Sequence, residues 1–150
     1  MLTQTTASNS LSLARRRGVV AVVVREERLL VIRRAKGIVA PGAYCFPGGG
    51  IESGESEQTA LRREITEELG VAVQPHSRLW DSVTPWGVEL VWWQAHLSIE
   101  AAIAPNPSEV AAVHWLTIEE MRGLPELLES NHHFLDALAA GEFSVEGLGS

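Results

Sequence analysis

At 150 residues the chain suits one domain with a single substantial core. Its 45% hydrophobic and 21% charged residues lie near soluble globular averages, which excludes a low-complexity composition. A formal charge of −7 argues against a long nucleic-acid partner, which calls for a basic face. Small phosphorylated substrates stay open, because a bound divalent cation reverses the local field.

The first segment, 1–17, reads as a flexible tail, polar up to the triplet Arg15-Arg16-Arg17. It lacks the apolar stretch of a secretory leader, and no run in the chain approaches the ~18 apolar residues of a membrane span. Cys45 is the only cysteine, so no internal disulfide forms and a reducing cytoplasm is the expected setting. The domain itself is expected over 18–145.

Val19 to Val24 is a continuous β-branched and alanine run that predicts a buried strand. Arg25-Glu26-Glu27 reads as a polar turn into a second strand, Leu29 to Ile32, so the two are expected to form a hairpin. Ala35 to Gly50 is loop-like, with a short aromatic piece at Tyr44-Cys45-Phe46. Ser56 to Leu69 is the clearest helix, because Leu61, Ile65 and Leu69 make one apolar stripe. Ser56 is the expected N-cap, and Gly70 stands where a glycine ends a helix.

Val71 to Val73 and Leu79 to Val83 read as extended, and Val88 to Ile99 as a longer strand carrying Trp92 and Trp93. Val110 to Leu116 is a further strand candidate. Thr117 and Glu120 have the form of a capping box. Leu124 to Ala140 predicts one or two helices, with a break near Ser130-Asn131. Strands both paired and separated by helices point to an α/β fold with a mixed sheet covered by helices.

The chemistry lies on the helix at 56–69. Glu64, Glu67 and Glu68 share one side, and like charges at these spacings each cost a few tenths of a kcal/mol. Arg63 offsets Glu67, while Glu64 and Glu68 face each other with no cation supplied by the sequence. Clustered carboxylates are what Mg²⁺ or Mn²⁺ requires. Gly48-Gly49-Gly50 ahead of the helix is a loop without side chains, through which backbone approaches a metal or phosphate.

Gly49, Glu55, Arg63-Glu64-Ile65, Glu67-Glu68, Gly70 and Val71 spell G-x5-E-x7-R-E-U-x-E-E-x-G-U, with U a bulky aliphatic residue. The chain resembles the Nudix hydrolases, MutT-like members in particular, at every defined position of that signature. The resemblance implies an α/β/α sandwich with a mixed sheet and a loop–helix–loop metal site. It implies that Glu64, Glu67 and Glu68 ligate Mg²⁺ or Mn²⁺, with Glu64 sometimes the general base. Gly49 matches the glycine whose carbonyl reaches the metal. Glu55 would hold the loop or bind metal through water, and Arg63 would orient a glutamate.

The family takes one further acid from a later loop, and Glu109 is the choice here, ahead of Glu89, Glu119 and Glu120. The implied activity is hydrolysis of a phosphoanhydride bond in a small nucleotide, and a homodimer is a common family state. Outside the box, Ile38 stands where coenzyme A pyrophosphatases carry arginine. The S-Q-P-W-P-F-P element of NADH pyrophosphatases is missing. Tyr44 is the only tyrosine, so the one that dinucleoside polyphosphate hydrolases carry after the box has no match. Pro85 stands close to the proline of ADP-ribose pyrophosphatases, so an ADP-ribose-like substrate leads and a nucleoside triphosphate follows.

Of five tryptophans, Trp86 beside Pro85 is the one assigned to a base contact. Arg33 and Arg34 are candidates for phosphate contact. The histidines show no metal-site spacing, and Cys45 reads as a small apolar residue. A nucleotide-sensing module that does not cleave is the competing reading, and such modules lose box glutamates that this chain keeps. A helix binding Ca²⁺ for stability is a weaker alternative, because EF-hand spacing is absent.

Overall fold

The computed structural model describes residues 16–149, so most of the expected tail lies outside it; Arg17 already belongs to a strand. The strands are β1 (Arg17–Val22), β2 (Val24–Arg25), β3 (Arg28–Arg34), β4 (Tyr44–Cys45) and β5 (Gly48–Gly50). Then come helix α1 (Glu57–Leu69), β6 (Val73–Val83), β7 (Glu89–Leu97) and β8 (Val110–Leu116). Helices α2 (Ile118–Arg122) and α3 (Glu129–Ala139) complete the order.

One sheet runs β5-β1-β7-β6 and is mixed: β1 and β7 are parallel, and the outer pairs are antiparallel. In the other, β3 pairs antiparallel with β2, β4 and β8. Helix α1 covers one side of the sheets and α2 with α3 the other, giving the α/β/α sandwich.

The Val19 to Val24 run is therefore not a single strand. It changes sheets at Val23, whose carbonyl accepts from the Leu30 N–H at 3.0 Å, and only the Val24–Leu29 tip forms a hairpin. Strands buried on both faces explain the unbroken apolar runs. Val19, Ala21, Val23, Leu30 and Ile32 pack with Leu61, Ile65 and Leu69 of α1. Val22, Leu29 and Val31 pack on the opposite side with Trp92, Phe46 and Phe134.

Of the two expected extended segments, Val73 and the whole of Leu79–Val83 join in one long β6, carried through two register shifts, while residues 71 and 72 precede it. The expected break in the last helix lies earlier than Ser130-Asn131, over the stretch 124–128. There Tyr44 donates to the Glu126 carbonyl at 2.9 Å and Leu128 donates to the Tyr44 carbonyl at 3.0 Å, drawing the chain alongside β4. Asn131 sits inside α3 without breaking it, because its Oδ1 accepts from the Phe46 N–H at 3.0 Å and does not compete for its own backbone. After α3, Phe143 packs on Trp80 and Phe134, and Val145 is buried. Among the described residues no helix is long and apolar enough to cross a membrane.

Candidate metal and active site

Helix α1 starts where the sequence places it. Ser56 Oγ accepts from the Thr59 N–H at 3.1 Å, and Gly70 ends the helix in the left-handed region at φ 63°. With Leu61, Ile65 and Leu69 anchored in the core, the glutamates fall along the side facing β5 and the loop before β8. Glycine is required opposite them: a Cβ on Gly49 would strike the Glu64 carboxylate, and one on Gly48 the Val19 carbonyl.

Arg63 organises the entrance. It holds Glu55 through two bonds of 2.7 and 2.9 Å, Glu64 at 2.9 Å, Glu67 at 3.4 Å and the Gly50 carbonyl at 2.8 Å. Helical spacing offers Glu64 no cation; the structure supplies Arg63, the preceding residue. Arg63 and the Glu52 N–H hold the Glu55 carboxyl at about 2. Both Glu55 oxygens are thus engaged in fastening the loop to the helix.

Further along α1 the balance reverses. Burial first, then the charges of Glu67 and Glu109, raise the Glu64 carboxyl against the pull of Arg63. Glu68 is only 6% exposed, and burial, with the charges of Glu64 and Glu109 added, pushes it up to about 8. Its hydrogen-bond partner is the Gly48 N–H at 3.0 Å. One N–H and the more distant Arg34 do not compensate a buried carboxylate with two acidic neighbours. A hard divalent cation does, so these residues fit one. Glu67 is half exposed at the edge of the group.

Glu109 reaches the cluster from outside the box. Its N–H donates to the Asn106 carbonyl at 3.0 Å and its carbonyl accepts from Ala35 at 3.0 Å, while Asn106 donates to the Glu68 carbonyl at 2.8 Å. The loop is pinned at once to the end of α1 and the end of β3, and the Glu109 charge acts on both Glu64 and Glu68. The alternatives are engaged elsewhere: Glu89 with Arg17 at 2.8 Å, Glu120 in the capping box with Thr117, and Glu119 in the first turn of α2.

Beside the glycine strand opens a cleft of 730 Å³, of a size for a small phosphorylated ligand. Arg34 lines it, its Nε donating to the Val39 carbonyl at 2.7 Å. Arg33, next in sequence, turns to the other face: it lies over the Tyr44 ring and donates to the Gly42 carbonyl at 3.1 Å. Trp86 stands 70% exposed at the tip of the β6–β7 turn, outside the cleft lining. In that turn the Gly87 N–H donates to the Thr84 carbonyl at 2.9 Å, so Pro85 has an ordinary turn role. The other four tryptophans pack into or against the two cores or lie under Arg25.

Arg16 lines the cleft, a role hidden in the sequence because its basic triplet has the character of a tail. Ser130 and Asn131, at the start of α3, line it as well. No spacing signal joins those positions to the glutamate helix. Cys45 borders the cleft as a buried thiol pushed up to about 11 by desolvation, which makes it a poor nucleophile.

A NUDIX domain family model matches residues 14–138. A MutT-like protein of Streptomyces ambofaciens is 36% identical over 106 residues, covering 69% of this chain and 64% of the relative. An NAD-capped RNA hydrolase, NudC, of Stutzerimonas stutzeri is 29% identical, covering 71% of this chain and 38% of its own length. The chain thus spans less than two thirds of either relative. Among solved structures, a MutT NUDIX hydrolase from Burkholderia pseudomallei superposes with a TM-score of 0.64 at 27% identity, covering 81% of this chain and 95% of that one.

Proposed function

The chain belongs to the NUDIX domain family, and from that premise we propose that it hydrolyses a phosphoanhydride bond in a nucleoside diphosphate linked to another group. The observation that carries this reading is the buried Glu68, bonded to the Gly48 N–H and set against Glu64 and Glu109, for which the described residues supply only Arg63 on Glu64 and the more distant Arg34. Glu64, Glu67 and Glu68 would hold Mg²⁺ or Mn²⁺, and the Gly49 carbonyl is the backbone ligand that the family signature assigns. When bound, the cation neutralises phosphate oxygens and lowers the pKa of water in its shell. Glu109, held on its loop by the Asn106 and Ala35 backbone bonds, would accept the proton of the attacking water. Water oxygen bonds to phosphorus, the bridging P–O bond breaks, and a phosphate-bearing fragment leaves. Arg34 and Arg16 both line the cleft and would meet the phosphate chain, with Arg34 tied in place by Val39. Glu55 and Arg63 act on the loop and on Glu64 rather than on substrate.

Within this class ADP-ribose-like compounds stand first. Pro85 supports them, although its turn gives it a structural role of its own. The NAD cap in the Stutzerimonas relative's name points to the same chemistry, since a diphosphate there joins two nucleosides. A nucleoside triphosphate pyrophosphohydrolase is the second reading, favoured by the MutT-like Streptomyces relative. The deciding experiment is chromatographic detection of the phosphomonoester or pyrophosphate products formed from ADP-ribose, nucleotide sugars, dinucleoside polyphosphates, and normal and oxidised deoxynucleoside triphosphates, each with Mg²⁺ and with Mn²⁺. Turnover of ADP-ribose ahead of the triphosphates is expected. No turnover on any of them, together with a Glu68→Gln protein indistinguishable from the parent, sinks the enzyme reading.

A further inference from the structure

We propose that His76, His96 and Glu146 form a second, structural metal site that takes a Zn²⁺-class transition ion and fastens the C-terminal segment to the sheet. The three residues are far apart in sequence and supply donor atoms that all lie within 4.8 Å of one another. His76 Nε2 is 3.6 Å and His96 Nε2 3.9 Å from the Glu146 carboxylate. Metal–ligand bonds of about 2.0–2.1 Å in a tetrahedron place the donors about 3.4 Å apart, so small rotations of exposed side chains close the site.

The backbones beneath these side chains are already fixed. His76 sits at the register shift between Pro75 and Ser77 of β6, a bulge that seats it beside His96 with the ring centroids 4.5 Å apart. Glu146 is held by the side chain of Gln94, itself only 2% exposed, which donates to the Glu146 carbonyl at 2.8 Å and accepts from its N–H at 2.9 Å. On its other side, buried Val145 and the packing of Phe143 on Phe134 keep the segment down.

Two imidazoles and one carboxylate select the zinc class over Mg²⁺ or Ca²⁺, which prefer all-oxygen sites. As a set of ion pairs the arrangement is poor, because protonating both histidines places two cations in contact. Neutral imidazoles leave their lone pairs free for a metal. His96 shares the β7 face of Trp92 and Gln94, opposite the face that α1 covers, so the site is separate from the glutamate cluster.

The test is Co²⁺ titration of the full chain with excess Mg²⁺ present to occupy the glutamates, followed by Zn²⁺ competition. One equivalent is expected, with a visible band that Zn²⁺ abolishes, and Zn²⁺ should slow carboxypeptidase removal of the last residues. His76→Ala and His96→Ala should each abolish the band, and Glu146→Gln should weaken binding on the order of 10-fold. Hydrolysis with Mg²⁺ should be unchanged in all three. His96→Cys should keep the site and add a thiolate-to-cobalt charge-transfer band. Absence of the band in the parent chain, or a band that persists in the His76→Ala/His96→Ala double variant, overturns the proposal.

Discussion

Gly48 and Gly49 are neighbours that exclude a side chain for different reasons, and the difference is measurable. A Cβ on Gly48 meets the backbone of β1, which moves only if the β1–β5 pairing shifts. A Cβ on Gly49 meets the end of the Glu64 side chain, which rotates away. Gly48→Ala should therefore destabilise the fold by about 1–3 kcal/mol in urea denaturation. Gly49→Ala should unfold within roughly 1 kcal/mol of the parent while losing at least about 10-fold in kcat, because Glu64 is displaced. Equal stability losses in both variants would show that the glycine loop is a packing device and that Glu64 does not depend on it.

At the scale of elements, what was legible in the sequence is what local physics determines. The stripe of Leu61, Ile65 and Leu69, the Ser56 cap and the Gly70 stop placed α1 within a residue, and the Thr117–Glu120 capping box was readable from spacing alone. The sheet change at Val23 was illegible, since it depends on which distant strands compete for each face of one apolar run. The break before α3 depends on Tyr44, and the proximity of His76, His96 and Glu146 on a bulge and a buried glutamine. Glu109 was reachable only by resemblance, because what brings it to Glu68 is a loop tied at Asn106 and Ala35. The β2–β3 turn is a case where sequence and geometry conflict: Glu26 and Glu27 both adopt positive φ, 52° and 62°, as a tight two-residue hairpin requires. Neither residue is suited to that region, so Glu26→Asn with Glu27→Gly should stabilise the protein by about 1 kcal/mol in thermal or chemical unfolding. A loss of stability instead would mean that these glutamates make compensating contacts.

For the whole molecule, a net charge of −7 with a buried carboxylate cluster links stability to pH and metal together. Glu68 titrates at about 8 in the folded chain against an ordinary 4.5, so between these values the folded state holds a proton that the unfolded state has lost. The stability this gives the metal-free protein is full below about 4.5 and is lost as pH rises through about 8. Glu55 acts in the opposite sense: held at about 2 by Arg63, its contribution is present above 4.5 and lost as pH falls toward 2. The metal-free midpoint temperature should therefore fall from pH 6 to pH 8. Mg²⁺ should restore it more at pH 8, where binding displaces fewer protons. Each kcal/mol recovered is worth roughly 2–4 °C for a chain of this size. Glu68→Gln removes the titrating group, so its metal-free midpoint should hardly change over that range and Mg²⁺ should raise it less. Calorimetric scans of parent and variant at pH 6 and pH 8, with EDTA and with Mg²⁺, make the comparison. A parent protein whose metal-free midpoint does not fall across that range would mean that Glu68 is ionised without a cation, and the case for a metal-demanding cluster would lose its main support.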